Sequence, residues 1–190
     1  VADAAVTLRE LVRATARRQG MQATFTPIRD PASVGNGVHI HMSLVDGAGE
    51  PATHDPDGPG GLSPVAGSFA AGILKYVDSF LAMTAPSTLS YPRPTPQRWS
   101  APYTNLGFRD REACLRIAPV TAKDPASIAR QYNIEFRAAD AAASPYLALA
   151  AIVHAGAQGI EEKLATPAPT SEDLSLLAPD DLAARGFVRL

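Results

Sequence analysis

The sequence predicts an α+β fold in which helices pack against one side of a sheet. Three stretches alternate apolar and polar residues, as strands do, and three longer stretches repeat apolar residues at helical spacing. Strands and helices are mixed along the chain, which is the pattern of an α+β domain. At 190 residues the chain has the length of one domain and can bury a hydrophobic core.

Three long helices are predicted by apolar periodicity together with start and stop residues. The first ends at Gly20, a residue type favoured just after a helix end. The second starts at Ser63 and the third at Ser144, and each of these serines is followed by a proline suited to a first turn. The predicted helical segments are 4–19, 63–86, 144–164, and two short pieces around 171–177 and 179–185.

The strands are predicted by alternation. In "GVHIHMSL", residues 37–44, the apolar side chains face one way and His39, His41 and Ser43 face the other. Residues 113–119 and 132–138 alternate in the same way. The stretch "QATFTPI", residues 22–28, is a fourth short strand candidate. The segments expected to lack regular structure are a Gly/Pro/Asp-rich loop at 46–64 and a mostly extended, proline-punctuated stretch at 87–111.

The polar faces of three predicted strands carry the candidate site. They present the imidazoles of the first strand, Arg116 on the second, and Asn133, Glu135 and Arg137 on the third. Burying Glu or Arg is costly unless the charge is paired. If the three faces look into one cavity, that cavity suits an anionic substrate and a metal. The His-x-His spacing alone leaves open one ion bound by both imidazoles, one imidazole on an ion and the other on a ligand, or a solvated strand face.

Composition argues against several classes of protein. The formal net charge of −2 gives no electrostatic reason to expect nucleic acid or an anionic membrane. No stretch is predicted to span a bilayer, no secretory signal is recognised, and the cytoplasm is the expected location. The single cysteine, Cys114, excludes an internal disulfide and is predicted to be a buried thiol. His54 is expected to be exposed in a loop, and His154 to be a packing residue of a helix. Neither a phosphate-binding loop nor a serine-hydrolase elbow is present.

Four ordered motifs resemble the glutamine synthetase family. "VGNGVHIHMSL" resembles its Gly-rich loop and His-x-His-x-Ser-Leu, and "SYPRPTP" resembles its Tyr-x-Arg-x-x-Pro segment. "RDREACLRI" resembles its Arg-Asn-Arg segment, and "NIEFRAADAAASPY" resembles its block ending in Asn-Pro-Tyr. The resemblance implies that residues 1–190 are the C-terminal portion of a catalytic domain with a largely antiparallel, curved sheet. It also implies that an N-terminal β-grasp domain and upstream metal carboxylates are absent, so that the piece alone is expected to be inactive.

The resemblance implies a ligase. ATP would phosphorylate the side-chain carboxylate of glutamate, or a similar acid, and ammonia or a larger amine would displace phosphate from the acyl phosphate. The implied cofactors are ATP and Mg²⁺ or Mn²⁺. The implied assembly is a homo-oligomeric ring. The resemblance implies that His39 and Glu135 bind the metal and that His41, Ser43 and Arg116 bind ATP. It implies that Gly35, Arg93 and Arg137 bind the substrate. Arg111, beside the transferring phosphoryl group, is implied to be catalytic, as are Arg93 and Arg137.

Four positions depart from the family pattern: Val34, Ser100, Asn133 and Ser144 replace Asn, Glu, Arg and Asn. The Glu before Ala-Pro forms part of the family's ammonium site, so Ser100 favours a γ-glutamyl amine ligase that takes a larger amine such as a polyamine. Two alternatives are a non-catalytic metal- or ligand-binding relative and a His-x-His metallohydrolase. The ligase predicts that His39 and Glu135 converge while His41 turns to the nucleotide. The hydrolase predicts both histidines on the metal, and the binding module predicts no ordered arginine cavity.

Overall fold

In the computed structural model, which describes all 190 residues, a four-stranded mixed sheet lies beneath two long helices. The sheet order is β1-β4-β3-β2; β1 and β3 each run antiparallel to β4, whereas β2 runs parallel to β3. The predicted α+β class and largely antiparallel sheet are therefore confirmed. The strands are β1 Gly37–Met42, β2 Tyr103–Phe108, β3 Ala113–Ile117 and β4 Ile134–Asp140.

The helices begin and end close to the predicted residues. Gly20 takes a φ of 68° after the first helix, the left-handed conformation that glycine adopts without strain. The Ser63 hydroxyl accepts the Ala66 N–H at 3.2 Å, and Ser144 is the N-cap residue of the third long helix, without a side-chain hydrogen bond. The helices are α1 Ala2–Arg18, α2 Pro64–Thr84, α3 Pro125–Gln131, α4 Pro145–Glu161 and α5 Pro179–Ala184, with 3-10 turns at Pro59–Gly61, Thr88–Ser90 and Leu174–Leu176.

The core lies between α2 and the apolar face of the sheet. Phe136 and Leu115 are fully buried there, and Cys114 belongs to the same cluster, which confirms the buried-thiol prediction. Burial raises the pKa of this thiol. By length and composition α2 could cross a membrane, contrary to the prediction that no stretch could. In the fold it is a core helix, packed on three strands and on α4.

Three segments differ from their predicted structure. Residues 22–28 form no strand, because the Pro27 carbonyl accepts the Asn36 N–H at 2.7 Å and the Asn36 side chain donates to the Thr26 carbonyl. Strand β2 lies within the stretch that was predicted to be extended without a strand. Helix α3 was missed, although the Asp124 carboxylate caps it by accepting the Ser127 N–H at 2.9 Å.

Helices α2 and α4 touch through glycines, and replacing Gly72 with alanine is expected to destabilise the fold. A Cβ at Gly72 would lie 2.2 Å from the Ala155 carbonyl oxygen and 2.7 Å from the Gly159 Cα, both backbone atoms that cannot rotate away. Overpacking of this kind costs about 1–3 kcal/mol, against about 1 kcal/mol gained from the helix propensity of alanine. Chemical denaturation should give a net loss for Gly72→Ala, whereas Gly47→Ala, with no heavy atom within 4 Å of the new Cβ, should unfold like the parent. Equal stability of the Gly72 variant and the parent would contradict this account.

Candidate active site

Glu135 is the centre of the candidate site. On β4 it lies opposite His41 of β1 on one side and Arg116 of β3 on the other. The β1–β4 register shifts at His39, where one residue of β1 faces two residues of β4. The Glu135 side chain is only 2% exposed, so the strand register buries one carboxylate among imidazole and guanidinium groups.

Four side chains converge on the Glu135 carboxylate. Arg137 Nη1 donates to Oε1 at 2.6 Å, and His39 Nδ1 lies 3.1 Å from the same oxygen. His41 Nε2 is also close to Oε1, at 3.7 Å. Arg116 Nε lies 2.7 Å from Oε2, but the two groups are not aligned for a hydrogen bond. Oε2 therefore lies beside a positive charge and accepts no hydrogen bond. A buried carboxylate that is paired on one oxygen and under-satisfied on the other can accept a further ligand there.

The charges around Glu135 keep it ionised. Burial would raise the pKa of this carboxyl, but the hydrogen bond from His39 and the charges of Arg137 and Arg116 outweigh burial and lower the pKa to about 2. The carboxylate is therefore negative at any physiological pH. A permanently charged, half-satisfied carboxylate beside an imidazole matches the oxygen and nitrogen ligands of Mn²⁺ or Mg²⁺.

Arg137 is held on all sides by the protein. Besides Glu135 Oε1, its Nε donates to the Arg111 carbonyl at 3.0 Å and its Nη2 donates to the Trp99 carbonyl at 3.0 Å. Its side chain is 2% exposed. These bonds fix the guanidinium plane, so Arg137 links the sheet to the loop around residues 97–100.

Arg93 approaches the same face from another segment. It is 4% exposed, its Nη2 donates to the Ala139 carbonyl at 3.2 Å, and its Nε has no partner. Gly35 permits this approach, because a Cβ there would lie 2.6 Å from Arg93 Cγ. A Cβ added at Gly37 would lie 3.1 Å from Arg93 Nη1 and 3.5 Å from His39 Nε2. The Arg93 guanidinium and the His39 imidazole therefore border the same hollow. Gly35 and Arg93 thus join the end of the site that contains His39.

The tautomer of His41 is set by its neighbour. The Asn133 Nδ2 donates to the Gln131 carbonyl at 2.8 Å, which turns Asn133 Oδ1 toward His41 Nδ1 at 2.7 Å. His41 Nδ1 must then carry a proton, and its Nε2 is the atom directed at the Glu135 side. Asn133, the residue that replaces an expected arginine, therefore orients an imidazole.

Two predicted site residues lie outside this cluster. The Arg111 side chain is exposed beside Arg137, and only its carbonyl contacts the cluster. Ser43 lies beyond the end of β1, where its hydroxyl donates to the Tyr132 carbonyl at 3.0 Å. The two remaining histidines also differ from their predictions. His54 is half-buried and stacks on Tyr132 with ring centroids 4.4 Å apart, whereas His154 is exposed on α4.

The chain does not by itself contain a complete metal site. No group of three or more His, Cys, Asp or Glu side chains is arranged to hold an ion. His39 and Glu135 offer one nitrogen and one carboxylate, and such a pair needs oxygen ligands from elsewhere to complete six-fold coordination. The donor types therefore fit a divalent ion, and any further ligands would come from outside these 190 residues or from substrate.

Sequence reasoning did not single out Glu112, which clamps the loop at residues 97–100. Its carboxylate accepts the N–H of Gln97 at 2.9 Å and of Trp99 at 2.7 Å. Both loop residues have positive φ, 63° and 54°, which non-glycine residues rarely adopt without support. In the sequence, Glu112 is visible only as the second acidic residue of "RDREA". Its role depends on contact with the loop at residues 97–100, which the local sequence does not predict.

Replacing Glu112 with alanine is expected to release this loop. The only tryptophan of the chain, Trp99, is 63% exposed, so its emission reports the loop directly. In Glu112→Ala we expect a lower fluorescence anisotropy and faster acrylamide quenching than in the parent. Glu50→Ala, at an exposed loop residue, serves as the control. Unchanged anisotropy in Glu112→Ala would show that other contacts hold the loop.

Comparison with known proteins gives one consistent family. The family model described as "Glutamine synthetase, catalytic domain" matches residues 1–187. The glutamine synthetase of Frankia alni is 40% identical over 185 residues, which are 96% of this chain and 37% of that protein. The gamma-glutamylpolyamine synthetase of Streptomyces coelicolor is 38% identical over 196 aligned residues, 100% of this chain and 40% of that protein.

A solved structure agrees with these sequence matches. The crystal structure described as a novel glutamine synthase homolog superposes with a TM-score of 0.77 at 42% identity, covering 97% of this chain and 45% of that chain. The chain thus spans about two fifths of the length of the curated relatives and under half of the solved one. The region compared contains the whole Glu135 cluster.

Proposed function

Because the chain belongs to the glutamine synthetase catalytic-domain family, we propose that it forms part of an ATP-dependent ligase joining the side-chain carboxylate of glutamate to an amine. The observation that carries the proposal is the convergence of His39, Arg116 and Arg137 on Glu135, with Arg93 bordering the same hollow. Family membership implies ATP and a divalent metal. The chain is proposed to be the C-terminal portion of the catalytic domain, and the ring assembly and cytoplasmic location remain part of the proposal.

The residues suit both halves of the proposed reaction. In the first, the γ-phosphoryl group of ATP passes to a carboxylate oxygen and ADP leaves. In the second, the amine nitrogen attacks the acyl carbon, phosphate leaves, and the nitrogen loses a proton. A divalent ion held by His39 and Glu135 would neutralise phosphoryl charge. Fixed guanidinium groups stabilise negative charge as it develops, without reorganising.

Each arginine has a role that its contacts support. Arg93 is buried with an unpaired Nε, which supports the proposed contact with a glutamate carboxylate, and Arg137, fixed by the Trp99 and Arg111 carbonyls, is proposed to face the same substrate. Arg111 is exposed and free to close on the transferring phosphoryl group. Arg116 would meet ATP phosphate at the opposite side of Glu135. Gly35 would offer backbone to glutamate, and Ser43 would border the nucleotide.

The amine is proposed to be larger than ammonia. Ser100 occupies the position where the family has a glutamate, and it is 3% exposed. Its hydroxyl donates to the Thr95 carbonyl at 2.7 Å and accepts the Thr95 N–H at 2.9 Å. No carboxylate is available there to bind ammonium. The 38% identity to a gamma-glutamylpolyamine synthetase supports an amine of that class.

The test uses the intact gene product that contains this chain. We expect phosphate release that requires ATP, glutamate and an amine together, with polyamines tried beside ammonium. His39→Ala should raise the Mn²⁺ concentration needed for half-maximal rate, whereas His41→Ala should raise KM for ATP and leave the Mn²⁺ requirement unchanged. No amine-dependent phosphate release in the intact, folded protein would overturn the ligase and favour a non-catalytic binding relative.

A metallohydrolase is the second candidate because His41 Nε2 lies 3.7 Å from the same Glu135 oxygen that His39 contacts. Both imidazoles could then reach one ion. In that case His39→Ala and His41→Ala would weaken Mn²⁺ binding equally, and ester or phosphoester hydrolysis would proceed without ATP. Equal metal effects in the two variants would reject the assigned division of roles.

A further inference from the structure

A second cavity lies on the other side of the loop at residues 97–100. Its volume is about 360 Å³, and it opens between β2 and residues 171–175. One loop residue contacts both sides: the Trp99 N–H donates to Glu112 in the cavity wall, and the Trp99 carbonyl accepts from Arg137 beside Glu135. We call it the acidic cavity after its four carboxylates, Asp110, Glu112, Glu172 and Asp173.

The acidic cavity has more negative than positive charge. Arg109 is the one cationic side chain in its wall, and Arg185 pairs with Glu172 from outside the wall at 2.5 Å. Only Glu172 has an ion-pair partner, and Asp110, Glu112 and Asp173 have none. Burial raises the pKa of Glu112, the hydrogen bonds from the Trp99 and Gln97 N–H groups oppose this, and the neighbouring Asp110 adds a smaller increase.

Asn105 adds an observation independent of the acids. It lies between the acidic cavity and a neighbouring cavity that Thr170 borders, it is 1% exposed, and its Oδ1 has no hydrogen-bond partner. The orientation of its amide is fixed by Thr170, whose hydroxyl donates to the Leu106 carbonyl and can only accept from Asn105 Nδ2, at 2.8 Å. The free atom is therefore the carbonyl oxygen, an acceptor. A buried, unsatisfied acceptor costs free energy, and a ligand that carries N–H donors removes that cost.

We propose that the acidic cavity binds the distal ammonium group of a diamine or polyamine substrate, while the other amino group reaches the reacting carboxylate across the loop at residues 97–100. A primary ammonium offers three donors and a positive charge, which match a free carbonyl oxygen and unpaired carboxylates. A neutral alcohol or a second carboxylate would not match this wall. The assignment rests on the proposed ligase function, because it supplies the second contact of the same substrate.

Steady-state kinetics of the intact protein test this assignment. The probes are putrescine, with two amino groups, and butylamine, with the same chain and one amino group. In Asp110→Asn/Asp173→Asn, which keeps the Oδ1 acceptors used by Glu112 and Ser175, KM for putrescine should rise about tenfold or more at unchanged kcat. KM for butylamine should stay unchanged. Asp46→Asn/Asp180→Asn, which removes two acids outside the cavity, should leave both KM values at the parent level.

The outcomes separate this assignment from the ligase proposal. If butylamine is ligated and putrescine has the same KM in parent and variant, the acidic cavity is not an amine site, although the ligase stands. If no amine is ligated, the ligase fails, and calorimetric titration of putrescine into the same protein still decides the cavity. Binding that weakens about tenfold in the double variant supports it. No binding, or equal binding in parent and variant, overturns it.

Discussion

Replacing Glu135 with glutamine is expected to abolish the proposed ligase activity and to lower the free energy of unfolding by about 3–5 kcal/mol. Glutamine keeps the size of the side chain but removes the charge that Arg137 and Arg116 face at 2.6 and 2.7 Å. Both guanidinium groups would remain ionised and lose their counter-charge. Removing one partner of a buried ion pair is costly for that reason.

The activity loss has a separate cause from the stability loss. A neutral amide binds a divalent ion far more weakly than a carboxylate, so the variant would lose the ion proposed to neutralise phosphoryl charge. The intact Glu135→Gln protein should therefore show no amine-dependent phosphate release above background, even where circular dichroism reports a folded state.

Denaturant titration and phosphate release measure the two losses side by side. The matched control is Glu161→Gln, the same substitution at an exposed residue of α4, which should change the free energy of unfolding by less than about 0.5 kcal/mol and leave the rate unchanged. A Glu135→Gln protein that is as stable as the parent would mean that the guanidinium groups find other partners. Full activity in that variant would remove Glu135 from the metal site.

Strand periodicity was sufficient to predict which side chains share a face. It placed His39, His41, Glu135, Arg137 and Arg116 on polar faces, and the other four meet at the Glu135 carboxylate. The alternation of side chains is a property of a single strand, so it can be predicted without knowing which strands pair. What it could not supply was the register, because which residue lies opposite which depends on pairing between strands that are about 90 residues apart.

The misses have a common physical origin in non-local contacts. Strand β2 follows several prolines and pairs in parallel with β3, and its outer edge is completed by Thr170, far along the chain. Residues 22–28 have strand-like composition, but the carbonyls of Thr26 and Pro27 accept hydrogen bonds from Asn36 and not from a neighbouring strand. Glu112 works through a loop 13 to 15 residues earlier in the chain. In each case tertiary partners decide the outcome, and local propensity does not encode them.

Acidification is expected to remove about 3 kcal/mol of stability through Glu135 alone, since a tenfold change in proton affinity between the folded and unfolded states corresponds to about 1.4 kcal/mol. The folded-state pKa of Glu135, about 2, lies below the ordinary value of 4.5 because His39, Arg137 and Arg116 favour the ionised form more strongly than burial opposes it. A carboxyl with a depressed folded pKa stabilises the fold above the unfolded pKa, and this contribution is lost as pH falls. The loss therefore begins near pH 4.5 and is complete only below the folded-state pKa of about 2.

The difference between parent and Glu135→Gln isolates this carboxyl. Other acids with lowered pKa, among them Asp124 and Glu172, titrate in both proteins and cancel in the subtraction. Free energies of unfolding measured from pH 6 to pH 2 should converge as pH falls, since protonation of Glu135 in the parent reproduces the neutral side chain of the variant. Parallel curves, with a constant gap down to pH 2, would show that the gap comes from lost packing or hydrogen bonds and not from the charge. Convergence would locate the stabilising effect of the cluster in the ionised state that the proposed reaction also requires.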